Sequence, residues 1–196
     1  MPRFSEREKE QIRDRLLAQG ERLFTAHGIK KVTIDDLAEA AGIAKASFYK
    51  FYEGKEYLYL DIVQRIQQKI FDHVNGLLKA NAGLPGKERV LQVFEAMFQM
   101  TFRYPILTRI DAATTELIAR RVSQERLAAY KDQNVDAVHA LYQHGIRFAC
   151  DAQTLSCAFQ ALYHSWIALQ GKGEDMQATV IKILLRGILD QTITEV

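Results

Sequence analysis

Apolar side chains recur at three- and four-residue intervals through most of the chain, and no stretch alternates apolar and polar residues as a half-buried strand does. That periodicity predicts an all-α protein of about nine helices. A first helix is expected over 6–27, with Ile12, Leu16, Leu23 and Phe24 on one stripe and Gly28 as its stop. Two short helices follow, the second over 45–51, and then a long one over 55–79 with Leu58, Ile62, Ile66 and Ile70 on its inner face. After a break at 81–86, helices are expected over 87–103, 106–120 and 123–148. The first of these turns Val90, Leu91, Phe94, Met97, Phe98 and Phe102 to one side, and the last turns Leu127, Val135, Val138, Leu141, Tyr142 and Ile146 inward.

The closing pair, over 151–170 and 175–193, is of a different kind. Val180, Ile181, Ile183, Leu184, Leu185, Ile188 and Leu189 cover more of the last helix than one packing face can use. The same two helices of another copy would supply the second partner, making a four-helix interface about a two-fold axis. The alternative is a monomer in which the last helix is the central core helix.

The stretch 32–52, VTIDDLAEAAGIAKASFYKFY, has the layout of a helix-turn-helix. Thr33 can cap the first helix, with Asp35 and Asp36 where free N–H groups and the helix dipole favour negative charge. Ile34, Leu37, Ala38 and Ala41 form its inner face, and Gly42 supplies the left-handed residue that ends it, with Ile43 as the apolar plug beneath. In the second helix Phe48 and Phe51 point to the core, leaving Lys45, Ala46, Tyr49 and Lys50 outward. No acid occurs from Ala40 to Tyr52, and a basic, tyrosine-bearing helix of that size suits the major groove of DNA. The bland alternative is one more helical hairpin with solvated lysines.

Composition narrows the choice of partner. The 196 residues are 48% hydrophobic and 26% charged, which is globular, and a net charge of +2 argues against an indiscriminate polyanion binder. Positive charge must therefore be local. Cys150 and Cys157 fall within a helical apolar pattern and are expected as buried thiols of a reducing cytoplasm, on one helix face but too far apart for a disulfide. The charged N-terminus is no signal peptide, and no apolar run has membrane-spanning length, so a cytoplasmic location is expected.

Enzyme chemistry finds little to stand on. There is one Asp136-Ala-Val-His139 where a di-iron bundle needs E-x-x-H twice, and no H-E-x-x-H, C-x-x-C, glycine-rich phosphate loop or G-x-S-x-G. His139 and His144 would point away from each other on a helix, and His164, near Tyr163 and Trp166, reads as a pocket or interface histidine. No metal, no cofactor and no catalytic residue is expected.

Thr33 to Ile43 matches T-x-x-x-[IL]-A-x-x-A-G-[VI], Lys45 to Phe51 follows K-[GA]-[ST]-[FL]-Y-x-[HY]-F almost throughout, with Phe51 and Tyr52 in place of its last two residues, and Lys55 to Leu58 matches K-E-x-L. In these residues the sequence resembles the TetR-like family of bacterial transcriptional repressors. Two departures stand out: Ala44 replaces the usual capping serine of the recognition helix, and Ala46 the commoner glycine. The resemblance implies a three-helix DNA-binding domain at 1–53 and a helical ligand-binding and dimerisation domain at 54–196, with helix 55–79 linking the two. It implies base-edge contacts by Lys45, Ala46 and Lys50, and phosphate contacts by Thr33, Ser47, Tyr49 and Lys55.

It also implies a small apolar or aromatic effector held among Phe94, Phe98, Phe102, Tyr142, Phe159, Tyr163, His164 and Trp166, where Tyr104 also falls and Arg109, Gln99 or His164 would orient a polar end. Aromatic stripes at helical spacing are more often plain core. The expected function is a homodimeric, ligand-responsive repressor that binds a near-palindromic DNA operator. The alternatives are a DNA-binding regulator without a small inducer, answering to a protein partner or acting as an activator, and a helical-bundle enzyme.

Overall fold

The computed structural model describes residues 4–169 and 171–194, with the side chains at 101, 102, 109, 131–137 and 174 left outside that description. The described elements are helical: α1 (Glu6–Lys31), α2 (Ile34–Ala40), α3 (Lys45–Phe48), α4 (Lys55–Ala80), α5 (Gly86–Arg103), a 3-10 turn (Pro105–Arg109), α6 (Ala112–Arg121), α7 (Gln124–Gln143), α8 (Ala152–Ala168) and α9 (Glu174–Thr192). The fold is all-α, as the periodicity predicts. The chain divides into two compact units, Met1–Lys69 with Thr101–Leu127, and Ile70–Met100 with Ala128–Val196. The division expected at 53/54 follows the helix-turn-helix motif and not packing, so it does not coincide with these units.

In the first unit, α1 opens on a capping box in which Glu8 N donates to the Ser5 hydroxyl and the Glu8 carboxylate accepts from Ser5 N. These bonds hold the Glu8 carboxyl below its ordinary pKa. Ile12, Leu16, Phe24 and Ile29 are buried along one side, and the regular helix is interrupted at Gly28 before its last turn. Gly20 sits in the middle of α1, where glycine costs about 1 kcal/mol of helix propensity relative to alanine. Its reason is steric, because a Cβ there would lie 2.9 Å from Ile62 Cδ1 and 3.2 Å from Leu58 Cδ2 of α4. Leu58, Ile62 and Ile66 are fully or nearly fully buried, as their spacing predicts.

Two of the later predicted helices are revised in extent. The stretch 106–120 is not one helix: a 3-10 turn ends at Arg109, and Asp111 then caps α6 by accepting from Thr114 N at 2.6 Å. The helix expected to reach residue 148 stops at Gln143. Gly145 takes φ +80°, Gly145 N bonds Tyr142 O at 3.0 Å and Ile146 N bonds Leu141 O at 3.1 Å, a glycine-ended cap that satisfies the last carbonyls. Beyond it the chain runs beside the end of α9, with Ala149 N donating to Thr192 O at 2.7 Å and Thr194 N to Arg147 O at 3.2 Å.

That early stop overturns the reading of the cysteines. Cys150 lies in the link before α8, where Asp151 caps the next helix, and is only half-buried; Cys157 is exposed on α8. They neither share a helix nor lie in the core. His144 likewise falls past the end of α7 rather than on it, with its Nε2 3.2 Å from Asn75 Oδ1.

The second unit is built on Leu78, Val90, Leu155, Leu162, Ile181, Leu185 and Leu189, all buried. Arg89 is buried with them. Its guanidinium donates to Leu78 O at 2.9 Å and His144 O at 2.8 Å, so one charged side chain satisfies carbonyls near the ends of α4 and α7. α8 and α9 pack on each other, and Gln177 Nε2 donates to Trp166 O at 2.8 Å across that seam.

Candidate nucleic-acid interface

The site is assembled from three short pieces of the first unit. Thr33 caps α2 as expected: Asp36 N donates to Thr33 Oγ1 at 3.2 Å, while the Asp36 carboxylate accepts from Thr33 N at 2.8 Å and from its hydroxyl at 2.7 Å. The backbone bond to Thr33, then the hydroxyl bond, lower the Asp36 pKa. At the other end of α2, Gly42 has φ +68°, Gly42 N bonds Glu39 O at 3.0 Å and Ile43 N bonds Ala38 O at 2.9 Å. Only glycine takes that left-handed geometry without strain, and it turns the chain sharply into α3.

α3 is shorter than the predicted 45–51. It spans Lys45–Phe48, Ala44 gives it no side-chain cap, and its continuation tightens into three-residue bonds from Lys50 N to Ser47 O and Phe51 N to Phe48 O. Phe48 is fully buried and packs on Tyr52, with ring centroids 6.0 Å apart; burial of such a ring is worth about 1.5–3 kcal/mol. This anchor decides which way the rest of α3 faces. Lys45, Ala46, Tyr49 and Lys50 are exposed, Tyr49 by 53%, and Ser47 is half-buried. Phe51 is half-buried, its ring 6.3 Å from that of Phe4.

Each lysine has a partner that spacing along the chain does not disclose. Lys45 Nζ lies 2.7 Å from Asp35 Oδ2 of α2, and that hydrogen bond raises its pKa. The absence of acids from 40 to 52 along the chain is therefore not an absence of acids in space. Lys50 Nζ stands 5.3 Å from the centre of the Phe4 ring, within cation–π range. Lys55, at the start of α4, donates to Val32 O at 2.6 Å and to Lys30 O at 3.4 Å. Its ammonium thus closes the link between α1 and α2, and a third N–H is left over.

The aromatic residues proposed for an effector are all from the second unit except Phe102 and Tyr104. Phe94 packs on Phe98 at 6.1 Å and on Phe159 at 4.6 Å, Phe98 on Trp166 at 5.7 Å, and Tyr163 on Trp166 at 6.0 Å. Tyr142 makes its ring contacts elsewhere, with Phe148 and His139, and its hydroxyl donates to Cys150 O at 3.1 Å. His164 and Gln99 are exposed. The side chains of Phe102, Arg109, Val135 and Asp136 lie outside the described residues, and Tyr104 is in the first unit with Lys69 5.9 Å from its ring. Burial pushes the Tyr163 hydroxyl up to about 12. Among the described residues no three His, Cys, Asp or Glu side chains are placed to hold a metal ion, and no helix is long and apolar enough to cross a membrane.

Comparison with known proteins places this geometry. Residues 16–62, which contain α2, α3 and the first turns of α4, match the family described as bacterial regulatory proteins, tetR family. A relative, the nucleoid occlusion factor SlmA of Mannheimia succiniciproducens, is 22% identical over 139 residues, 68% of this chain and 63% of that protein, so the chain spans less than two thirds of it. The uncharacterized HTH-type transcriptional regulator YdgC of Bacillus subtilis is 25% identical over 183 residues, 90% of this chain and 92% of that one. Among solved structures, Thermus thermophilus FadR, a TetR family transcriptional repressor in complex with lauroyl-CoA, superposes with a TM-score of 0.61 at 18% identity, covering 91% of this chain and 94% of that one.

Proposed function

Starting from a chain that is a TetR-like transcriptional regulator, a DNA-binding helix-turn-helix protein and not an enzyme, we propose that it acts in the cytoplasm as a homodimeric, ligand-responsive repressor. The observation that carries this reading is the α3 face, where Lys45, Ala46, Tyr49 and Lys50 stand in solvent behind a fully buried Phe48. Two such faces related by a two-fold axis would enter successive major grooves of a near-palindromic duplex. Lys45 and Lys50 would supply donors to base edges, Ala46 a methyl for close approach, and Ser47, Tyr49 and the third N–H of Lys55 would anchor phosphates, joined by Thr33 once its hydroxyl turns from Asp36 to the DNA.

Dimerisation is assigned to α8 and α9, on the ground that α9 exposes Met176 by 57%, Ile183 by 65% and Leu184 by 42%. An effector of apolar or aromatic character is assigned to the second unit, by analogy with the lauroyl-CoA complex of FadR. Because α4 contributes residues to both units, a ligand that moves its later turns bears on the helix that begins at Lys55. A second reading, a regulator that answers to a protein instead of a small molecule, is favoured by the ring-on-ring packing of Phe94 with Phe159 at 4.6 Å.

Selection of bound duplexes from a random pool tests the central claim, followed by a screen for compounds that release them. Lys45→Ala should lose about 1–3 kcal/mol of discrimination at one base pair of each half-site. Lys55→Ala should weaken all duplexes alike and flatten the salt dependence by about one counterion per half-site. A pool that yields no preferred sequence rejects the reading, and a screen in which no compound lowers the affinity for the selected duplex rejects the effector.

A further inference from the structure

Asp35 is not accounted for by the cap of α2. Asp36 performs the capping, through its bonds to Thr33, and leaves Asp35 exposed one residue before it with no role in that box. Its carboxylate instead crosses the glycine turn to meet Lys45, the first residue of α3, at 2.7 Å. Both side chains remain more than half exposed, 54% for Lys45 and 63% for Asp35, so the pair lies on the surface that carries Ala46, Tyr49 and Lys50. An exposed pair of this sort adds little to stability. It does determine where a long, flexible cation points.

Three physical consequences follow for a lysine that reads bases. A free lysine side chain loses its rotamer freedom when it settles on a base edge, and a prior tether removes part of that loss. A carboxylate beside the ammonium also opposes any close phosphate, which lowers attraction to DNA of every sequence. Finally, guanine O6 and N7 offer the ammonium two acceptors in place of the carboxylate, whereas a mismatched base does not, so the exchange favours only the right partner. We propose that Asp35 is a specificity-determining residue: it holds Lys45 over the reading surface and withholds its charge from phosphates, trading general affinity for discrimination.

The inference rests on the proposed reading of α3 as the DNA-contacting helix. Its test is binding of Asp35→Asn, Asp35→Ala and Asp35→Glu to the selected duplex and to a random duplex, across a salt series, with thermal unfolding alongside. Asp35→Asn keeps shape and removes charge. It should bind random DNA more tightly, steepen the salt dependence by about one counterion per subunit, and lower the ratio of specific to random affinity by about tenfold. Asp35→Ala should behave the same way, and Asp35→Glu should recover much of the wild-type ratio. A merely structural residue would shift the unfolding temperature and leave the salt slope unchanged.

If wild type discriminates and the Asn and Ala variants discriminate equally well with the same slope, this inference is overturned while the function stands. If wild type shows no preference for any duplex, the functional reading itself fails, and the inference fails with it.

Discussion

At the scale of single residues, the structure turns isolated charges into specific pairs. Lys45 and Asp35, Lys50 and the Phe4 ring, and Lys55 and the carbonyl of Val32 each join pieces of chain that are distant in sequence. The same holds in the second unit at His144, beside Asn75 and below the Arg89 guanidinium. Desolvation, then the charges of Arg89 and Lys79, lower the pKa of His144 beneath its usual 6.5. A lowered histidine pKa means that the unfolded chain binds a proton before the folded one does. Stability contributed by the neutral ring is therefore complete above pH 6.5 and is lost as the pH falls from there toward the folded value. Thermal unfolding followed from pH 7.5 down to pH 5 should show this decline, and His144→Asn should flatten it; an unchanged slope in the variant would assign the decline to other groups.

Among elements, the contrast between α2 and α3 is the informative one. α2 has a complete capping box and a glycine-ended stop, whereas α3 has Ala44 at its N-cap, with extended φ −70° and ψ 146° and no side-chain hydrogen bond. A four-residue helix with an empty cap holds its place through Phe48 and not through its own backbone. Ala44→Ser supplies the missing acceptor at an exposed position. It should stabilise the chain by about 1 kcal/mol, or about 2–4 °C in Tm at this length, measured by thermal unfolding of the two forms. No gain would mean that the loop geometry keeps the hydroxyl away from the free N–H groups. The shorter α3 was not legible beforehand because apolar spacing marks the side of Phe48 and Phe51 equally well in a helix or in successive tight turns.

For the whole molecule, the decisive feature is how α9 divides its apolar residues. Ile181, Leu185 and Leu189 are buried in the second unit, while Ile183 and Leu184 remain open with Met176 about two turns before them. Sequence alone foretold the surplus of apolar surface but not which residues would carry it. Replacing Ile183 with Glu leaves the buried side untouched and places a charge where another copy is proposed to pack. Sedimentation should show the wild type as a dimer and Ile183→Glu as a monomer at micromolar concentration, with unchanged helicity and much weaker operator binding. A wild-type monomer, or a variant that stays dimeric, would move the interface elsewhere.

Helix identity, the glycine turn at Gly42, the Thr33 cap and the outward set Lys45, Ala46, Tyr49 and Lys50 were all settled by local sequence, because each depends on spacing or backbone preference within a few residues. The stop of α7 at Gly145 depends on equally local chemistry, yet the apolar residues beyond it, Ile146 and Phe148, imitate a continuing stripe. Only the tertiary structure decided that Arg89 joins two helix ends and that Asp35 holds Lys45. Those outcomes depend on which surfaces meet once the helices pack, and a hydrophobic period records that a face is buried without recording what it is buried against.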